Sequence, residues 1–130
     1  MSGVPLPDVV IPTTGRPGLG RLLRALSGEG AEHVLVIDDR PGEPVTLDVP
    51  AGVRVLRSGG HGPAAARNVG WRAATSEWVA FLDDDVVPPP GWTAALQADL
   101  AGIGRPVVAS QGRVRVPLPA GRRRTDWERN

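Results

Sequence analysis

Short runs of β-branched and apolar residues recur along this chain, and their spacing constrains its fold more than any other feature. Asp8-Val9-Val10-Ile11-Pro12 is apolar between its ends and stopped by proline, the form of a strand buried on both faces. His33-Val34-Leu35-Val36-Ile37 runs into Asp38-Asp39, Val53-Arg54-Val55-Leu56 follows a Pro/Gly-rich connection, and Trp78-Val79-Ala80-Phe81-Leu82 runs into Asp83-Asp84-Asp85. Between the first two runs Leu19, Leu22, Leu23 and Leu26 lie on one face with Arg21 and Arg24 between them, which predicts an amphipathic helix. Pro63 is placed to begin a second helix running to about Ala74. Its Ala65, Ala66, Val69 and Ala73 share an arc small enough to sit close to a sheet, with Arg67 and Trp71 on the far side. After Pro88-Pro89-Pro90, residues Trp92, Ala95, Leu96 and Leu100 mark a third helix, and Val107-Val108-Ala109 and Val114-Arg115-Val116 read as two more strands. Trp71, Trp78 and Trp92 are assigned to packing. Alternating helices and near-continuously apolar strands predict a Rossmann-like α/β domain, a mainly parallel sheet with helices on both faces.

Composition removes several function classes. At 130 residues the chain has room for one domain. It has no cysteine, which excludes disulfides, thiolate nucleophiles and zinc ribbons and makes an intracellular, cytoplasmic location the simpler reading. Fifteen arginines against fourteen carboxylates leave a net charge of +1, which gives no bulk argument for nucleic acid. No apolar run approaches the ~18 residues of a membrane span, and Met1-Ser2-Gly3-Val4-Pro5 does not have the form of a secretory signal. Arg122-Arg123-Arg124 reads as a solvated cluster, with phosphate or an acidic lipid surface at the inner face of the membrane as its alternative partner.

Ligands of open parallel sheets bind beyond the carboxyl ends of the strands. Pro12-Thr13-Thr14, Asp38-Asp39 and Asp83-Asp84-Asp85 all lie at such ends. Three adjacent carboxylates repel one another unless a cation or hydrogen-bond donors offset them, and oxygen ligands at this density suit Mg²⁺ or Mn²⁺. Asp38 and Asp39 are placed either to accept from a ribose hydroxyl or base N–H, or to serve as turn residues. Gly59-Gly60-His61-Gly62 before a helix has room for a diphosphate, with Arg67 as a fork to it, although the loop matches no standard phosphate-binding pattern. His61 reads as a loop residue. No Gly-x-Ser-x-Gly is present, so a serine hydrolase has no support.

Taken in order, Val9-Val10-Ile11-Pro12-Thr13, Val36-Ile37-Asp38-Asp39, Gly62-Pro63-Ala64-Ala65-Ala66-Arg67-Asn68-Val69-Gly70 and Phe81-Leu82-Asp83-Asp84-Asp85 resemble the family 2 glycosyltransferases, over about Asp8 to Leu100. The resemblance implies the nucleotide-sugar-binding part of a GT-A fold. It implies that Pro12 and Thr13 border the nucleobase, that Asp38 or Asp39 contacts base or ribose, and that Arg67 and Asn68 steady the nucleotide or its diphosphate. Asp83 and Asp85 match the two acids of Asp-x-Asp, with Asp85 the favoured metal ligand and Asp83 nearer the ribose. The implied reaction is metal-dependent transfer, with inversion, from a nucleotide-diphosphate sugar to an acceptor glycan, lipid or small molecule.

An inverting member also needs a carboxylate base, usually far downstream of Asp-x-Asp. Asp126 and Glu128 come too early to be assigned that role. The expectation is therefore a donor-binding domain over residues 1–116, followed over 117–130 by a linker or the start of an acceptor-binding half missing from a truncated chain. Such a chain would expose apolar surface and so be open to self-association. Two alternatives stay open, a stand-alone or degenerate nucleotide-binding module and a sugar-phosphate nucleotidyltransferase. The second normally shows a Gly-rich, basic loop after its first strand, which Thr13-Thr14-Gly15-Arg16-Pro17-Gly18 imitates loosely.

Overall fold

In the computed structural model, which describes residues 5–104, 106–116 and 121, four of the apolar runs join one parallel sheet. The elements are β1 (Asp8–Thr13), α1 (Gly18–Gly28), β2 (Val34–Asp38), β3 (Arg54–Arg57), α2 (Pro63–Ala73), β4 (Val79–Phe81) and α3 (Trp92–Ala101). The strand order is β3-β2-β1-β4. β1 pairs with β2 from Val9↔Val34 to Thr13↔Asp38, and with β4 only from Asp8↔Val79 to Val10↔Phe81. The chain winds outward from β1 to β3 and then returns to place β4 on the other side of β1. That reversal makes a topological switch point, and open sheets bind ligands past the carboxyl ends of the strands at such points.

Alternation along the strands divides the core in two. Val9, Ile11, Val34 and Val36 pack with Leu19, Leu22, Leu23 and Leu26 of α1, with Trp92 of α3 against the same cluster. Val10, Leu35 and Ile37 face the other way, onto Ala66 of α2, with Val69 and Ala73 beside it. Helices therefore cover both faces. β1 and β2 are buried because each has a neighbour on both sides, whereas β3 and β4 border one strand each and are partly exposed.

Two carboxylates set the connections. Asp8, buried at the amino end of β1, accepts the Thr75 N–H at 2.8 Å and the Ser76 hydroxyl, pinning the turn between α2 and β4. Glu29, just past α1, accepts the N–H groups of Gly91 at 3.2 Å and Thr93 at 3.0 Å, so a residue far away in sequence caps α3, which has no side-chain cap from its own N-cap residue. The Thr93 and Gly91 N–H groups hold the Glu29 carboxyl below its ordinary range.

Two parts of the chain differ from what their residues predict. Val107–Ala109 and Val114–Val116 form no strand: Val108 is 90% exposed and Val116 68%, with no ladder partner to make a run of valines into a strand. Trp71 does not pack in the core; it is 49% exposed and its indole N–H donates to Asn68 Oδ1 at 3.0 Å. Among the described residues no helix is long and apolar enough to cross a membrane. Arg122–Arg124, Asp126 and Glu128 lie outside the described residues.

Gly70 sets how closely α2 lies on β1. A Cβ there would stand 2.2 Å from Val10 Cγ1, and Val10 is fully buried and stiff about χ1. Overpacking should outweigh any gain in helix propensity, so Gly70→Ala should destabilise the chain by about 1–3 kcal/mol. Thermal denaturation should show that loss, and combining it with Val10→Ala should cost less than the sum of the two single changes.

Candidate active site

The carboxyl edge of the sheet is organised around Thr13, the last residue of β1. Its hydroxyl donates to Asp84 Oδ2 at 2.8 Å and accepts the Gly15 N–H at 3.0 Å, while its carbonyl accepts the Asp39 N–H at 2.9 Å. Three loops thus meet on one buried threonine. Gly15 takes φ +83°, a left-handed turn open to glycine, and Gly18 is forced by contact, since a Cβ there would meet the Asp84 carbonyl oxygen at 2.9 Å.

The acidic triplet alternates in direction. Asp84 is buried, with Arg16 Nε 4.0 Å from its free Oδ1. Asp83 and Asp85 are exposed; Asp83 accepts from Arg67 Nη2 at 3.2 Å, and Asp85 makes no hydrogen bond or ion pair among the described residues. Past the end of β4 the chain turns, closed by Val86 N–H to the Asp83 carbonyl at 3.3 Å, and this turn leaves Asp84 inward with Asp83 and Asp85 outward. No group of three or more His, Cys, Asp or Glu side chains gathers to hold a metal ion among the described residues. Two exposed carboxylates on one turn do match the one or two that Mg²⁺ takes when phosphates and water complete its shell.

The other acidic pair has a different fate. Asp38 holds Arg40 in a fork, Nε to Oδ1 at 2.9 Å and Nη2 to Oδ2 at 2.8 Å. Asp39 accepts Ser58 Oγ at 2.6 Å, the Gly60 and His61 N–H groups at 3.0 Å each, and the Gly62 N–H at 2.9 Å. The glycine loop therefore does not cradle a diphosphate with these amides, because Asp39 already occupies them. The Arg40 hydrogen bond keeps the Asp38 carboxyl below its ordinary range, and the Ser58 hydroxyl followed by the loop N–H groups does the same for Asp39.

The fold brings Thr13, Asp39 and Asp84 into one bonded cluster and sets Arg67 on Asp83. Pro12 is half-buried beside Thr13, and Asn68 is exposed one turn before Trp71. The tertiary partners Asp84, Ser58 and Arg16 carried no separate signal in the sequence. Arg40 did carry one, since an Asp two residues before an Arg suits a local turn bond. Hollows lined by Glu32, Val34 and Gly52 lie at the opposite, amino end of the strands.

The model of the family described as Glycosyl transferase family 2 matches residues 8–129. The chain belongs to that family. The match reaches beyond the described sheet to include most of the segment 117–130. Two relatives, each named pre-mycofactocin glycosyltransferase and found in the CDC 1551 / Oshkosh and H37Rv strains of Mycobacterium tuberculosis, are 44% identical over 94 residues. The alignment covers 68% of this chain but 19% of each relative, so the family 2 chain spans about a fifth of the length of the curated relatives it matches. No solved structure matches it significantly. The sheet and three helices correspond to part of a GT-A domain.

With folded pKa values below the ordinary carboxylate range, Asp38 and Asp39 stabilise the fold fully at neutral pH and lose that contribution as pH falls through and below about 4. Asp39→Asn leaves one acceptor oxygen for four donors and should cost about 1–3 kcal/mol at pH 7. Melting curves from pH 7 to pH 3 should show the gap to the unaltered chain closing on acidification. Parallel curves would remove Asp39 from this role.

Proposed function

We propose that the carboxyl edge of this sheet binds a nucleotide-diphosphate sugar together with Mn²⁺ or Mg²⁺, and that the chain supplies the donor half of an inverting glycosyl transfer. The observation that supports this most is the alternation of the acidic triplet at the topological switch point. Asp84 is turned in and tied to Thr13, leaving Asp83 and Asp85 facing solvent on a rigid base.

In this reading Pro12, Thr13, Asp38 and Asp39 form the wall beside the nucleoside. Thr13 and Asp39 act mainly by holding loops in place, since their polar side-chain atoms are already engaged. Asp85 is the principal metal ligand, with Asp83 between metal and ribose. Arg67 leaves Asp83 to reach the diphosphate, a cheap exchange because exposed ion pairs contribute at most about 1 kcal/mol. Asn68, one residue on, steadies the same group. The metal would supply Lewis-acid neutralisation of the diphosphate as it departs from the anomeric carbon. The base for the acceptor hydroxyl is assigned to no residue here, and kinship with the two relatives makes pre-mycofactocin the first acceptor to try.

Thermal-shift titration of the chain with UDP, GDP and dTDP, each with and without Mn²⁺, tests the reading. One nucleotide should stabilise only with metal, by roughly 2.7 kcal/mol at about 100 times its Kd, a shift of several degrees. Asp85→Ala should abolish that response without lowering the unliganded Tm. Stabilisation by no nucleotide would overturn the donor-site assignment.

A further inference from the structure

We propose that Glu29, just past the end of α1, is a positioning residue for the metal: by holding the start of α3 it fixes where Asp85 stands. The proposal rests on the donor-site reading above, in which Asp85 is the principal metal ligand.

The chain from Asp84 to Thr93 is held at both ends by α1. At the first residue of α1, Gly18 lies so close to the acidic turn that a Cβ there would stand 2.9 Å from the Asp84 carbonyl oxygen and 3.5 Å from Asp85 Cα. Beyond the last residue of α1, Glu29 Oε2 accepts the Gly91 N–H at 3.2 Å and Oε1 the Thr93 N–H at 3.0 Å. Glu29 itself has a fixed base, because its own N–H donates to the Ala25 and Leu26 carbonyls at 3.1 Å each and Leu26 is buried in the core.

Between these two grips the chain has little freedom to absorb a displacement. Val86 and Trp92 pack against the same core cluster as α1, and Pro88-Pro89-Pro90 fixes φ at three successive residues. Nor does α3 carry a local substitute for Glu29. Its N-cap residue Gly91 has no side chain, and its first turn has no acidic residue. Each carboxylate oxygen of Glu29 therefore takes an N–H group that the start of the helix would otherwise leave free. A shift at that start passes through a stiff linker to Asp85, and a metal tolerates little misplacement of its ligands.

Calorimetric titration with the Mn²⁺ complex of UDP, GDP or dTDP, whichever stabilises the unaltered chain, tests this with two variants. Glu29→Ala should weaken that complex about fivefold and move the amide chemical shifts of Asp83–Val86 in the metal-free chain. Adding Ala94→Glu puts a carboxylate back at an exposed position in the first turn of α3, where it favours the helix without tying it to α1. The double variant should regain Tm while binding stays weak and the shifts stay displaced. Full binding by Glu29→Ala, or unmoved Asp83–Val86 amides, would overturn the proposal. So would recovery of binding along with Tm in the double variant, which would make Glu29 a helix stabiliser only; the donor-site reading stands in each of these cases. If the unaltered chain binds none of the three complexes, the donor-site reading itself fails and this assignment falls with it.

Discussion

The hydrogen bond from Thr13 to Asp84 joins two strand ends 71 residues apart, and the geometry of the carboxyl edge depends on it. β1 and β4 stay paired only as far as Val10↔Phe81, with one more bond from Leu82 N–H to the Val10 carbonyl, whereas β1 continues to Thr13 alongside β2. Beyond Val10 the two strands part. A gap between parallel strands at a switch point is where ligands enter such sheets, and here a buried hydroxyl–carboxylate pair crosses it. Because both partners are buried, removing Thr13 leaves the Asp84 carboxylate with no hydrogen bond and removing Asp84 leaves the Thr13 hydroxyl with no acceptor, a more costly loss than a surface contact.

That bond also separates two sets of aspartates that are chemically alike. Asp38, Asp39 and Asp84 are buried and engaged by Arg40, by the Ser58–Gly62 loop and by Thr13. Asp83 and Asp85 face solvent. Carboxylates with fixed donors hold loops rigid; carboxylates without them remain available to a cation. Donor binding as proposed would use Asp83 and Asp85 above loops already held in place, so that little reorganisation would be needed when charge develops on a leaving group.

Much of this arrangement was legible in the residues. β-branched runs and leucine spacing marked the four strands and three helices, because burial on both faces or on one face leaves different periodicities. The small arc on α2 was visible too, although it did not include Gly70, where a Cβ would run into the Val10 side chain. What the residues did not show is which aspartate turns inward. That depends on donors brought from far along the chain, Thr13 for Asp84 and Ser58 for Asp39, and no local pattern records them. The valines at 107–116 illustrate the converse, since strand-forming side chains make no strand without a neighbour to pair with.

The proposed function brings metal and nucleotide together at the carboxyl end of β1 and β4. Paramagnetic broadening by Mn²⁺ in a ¹⁵N-labelled chain saturated with a nucleoside diphosphate would locate the ion directly. The amides of Thr13–Arg16, Gly18 and Asp83–Val86 should broaden more strongly than those of Asp8, Val34 and Thr75 at the amino ends of the strands. Broadening centred on the amino ends, or spread evenly over the chain, would contradict it.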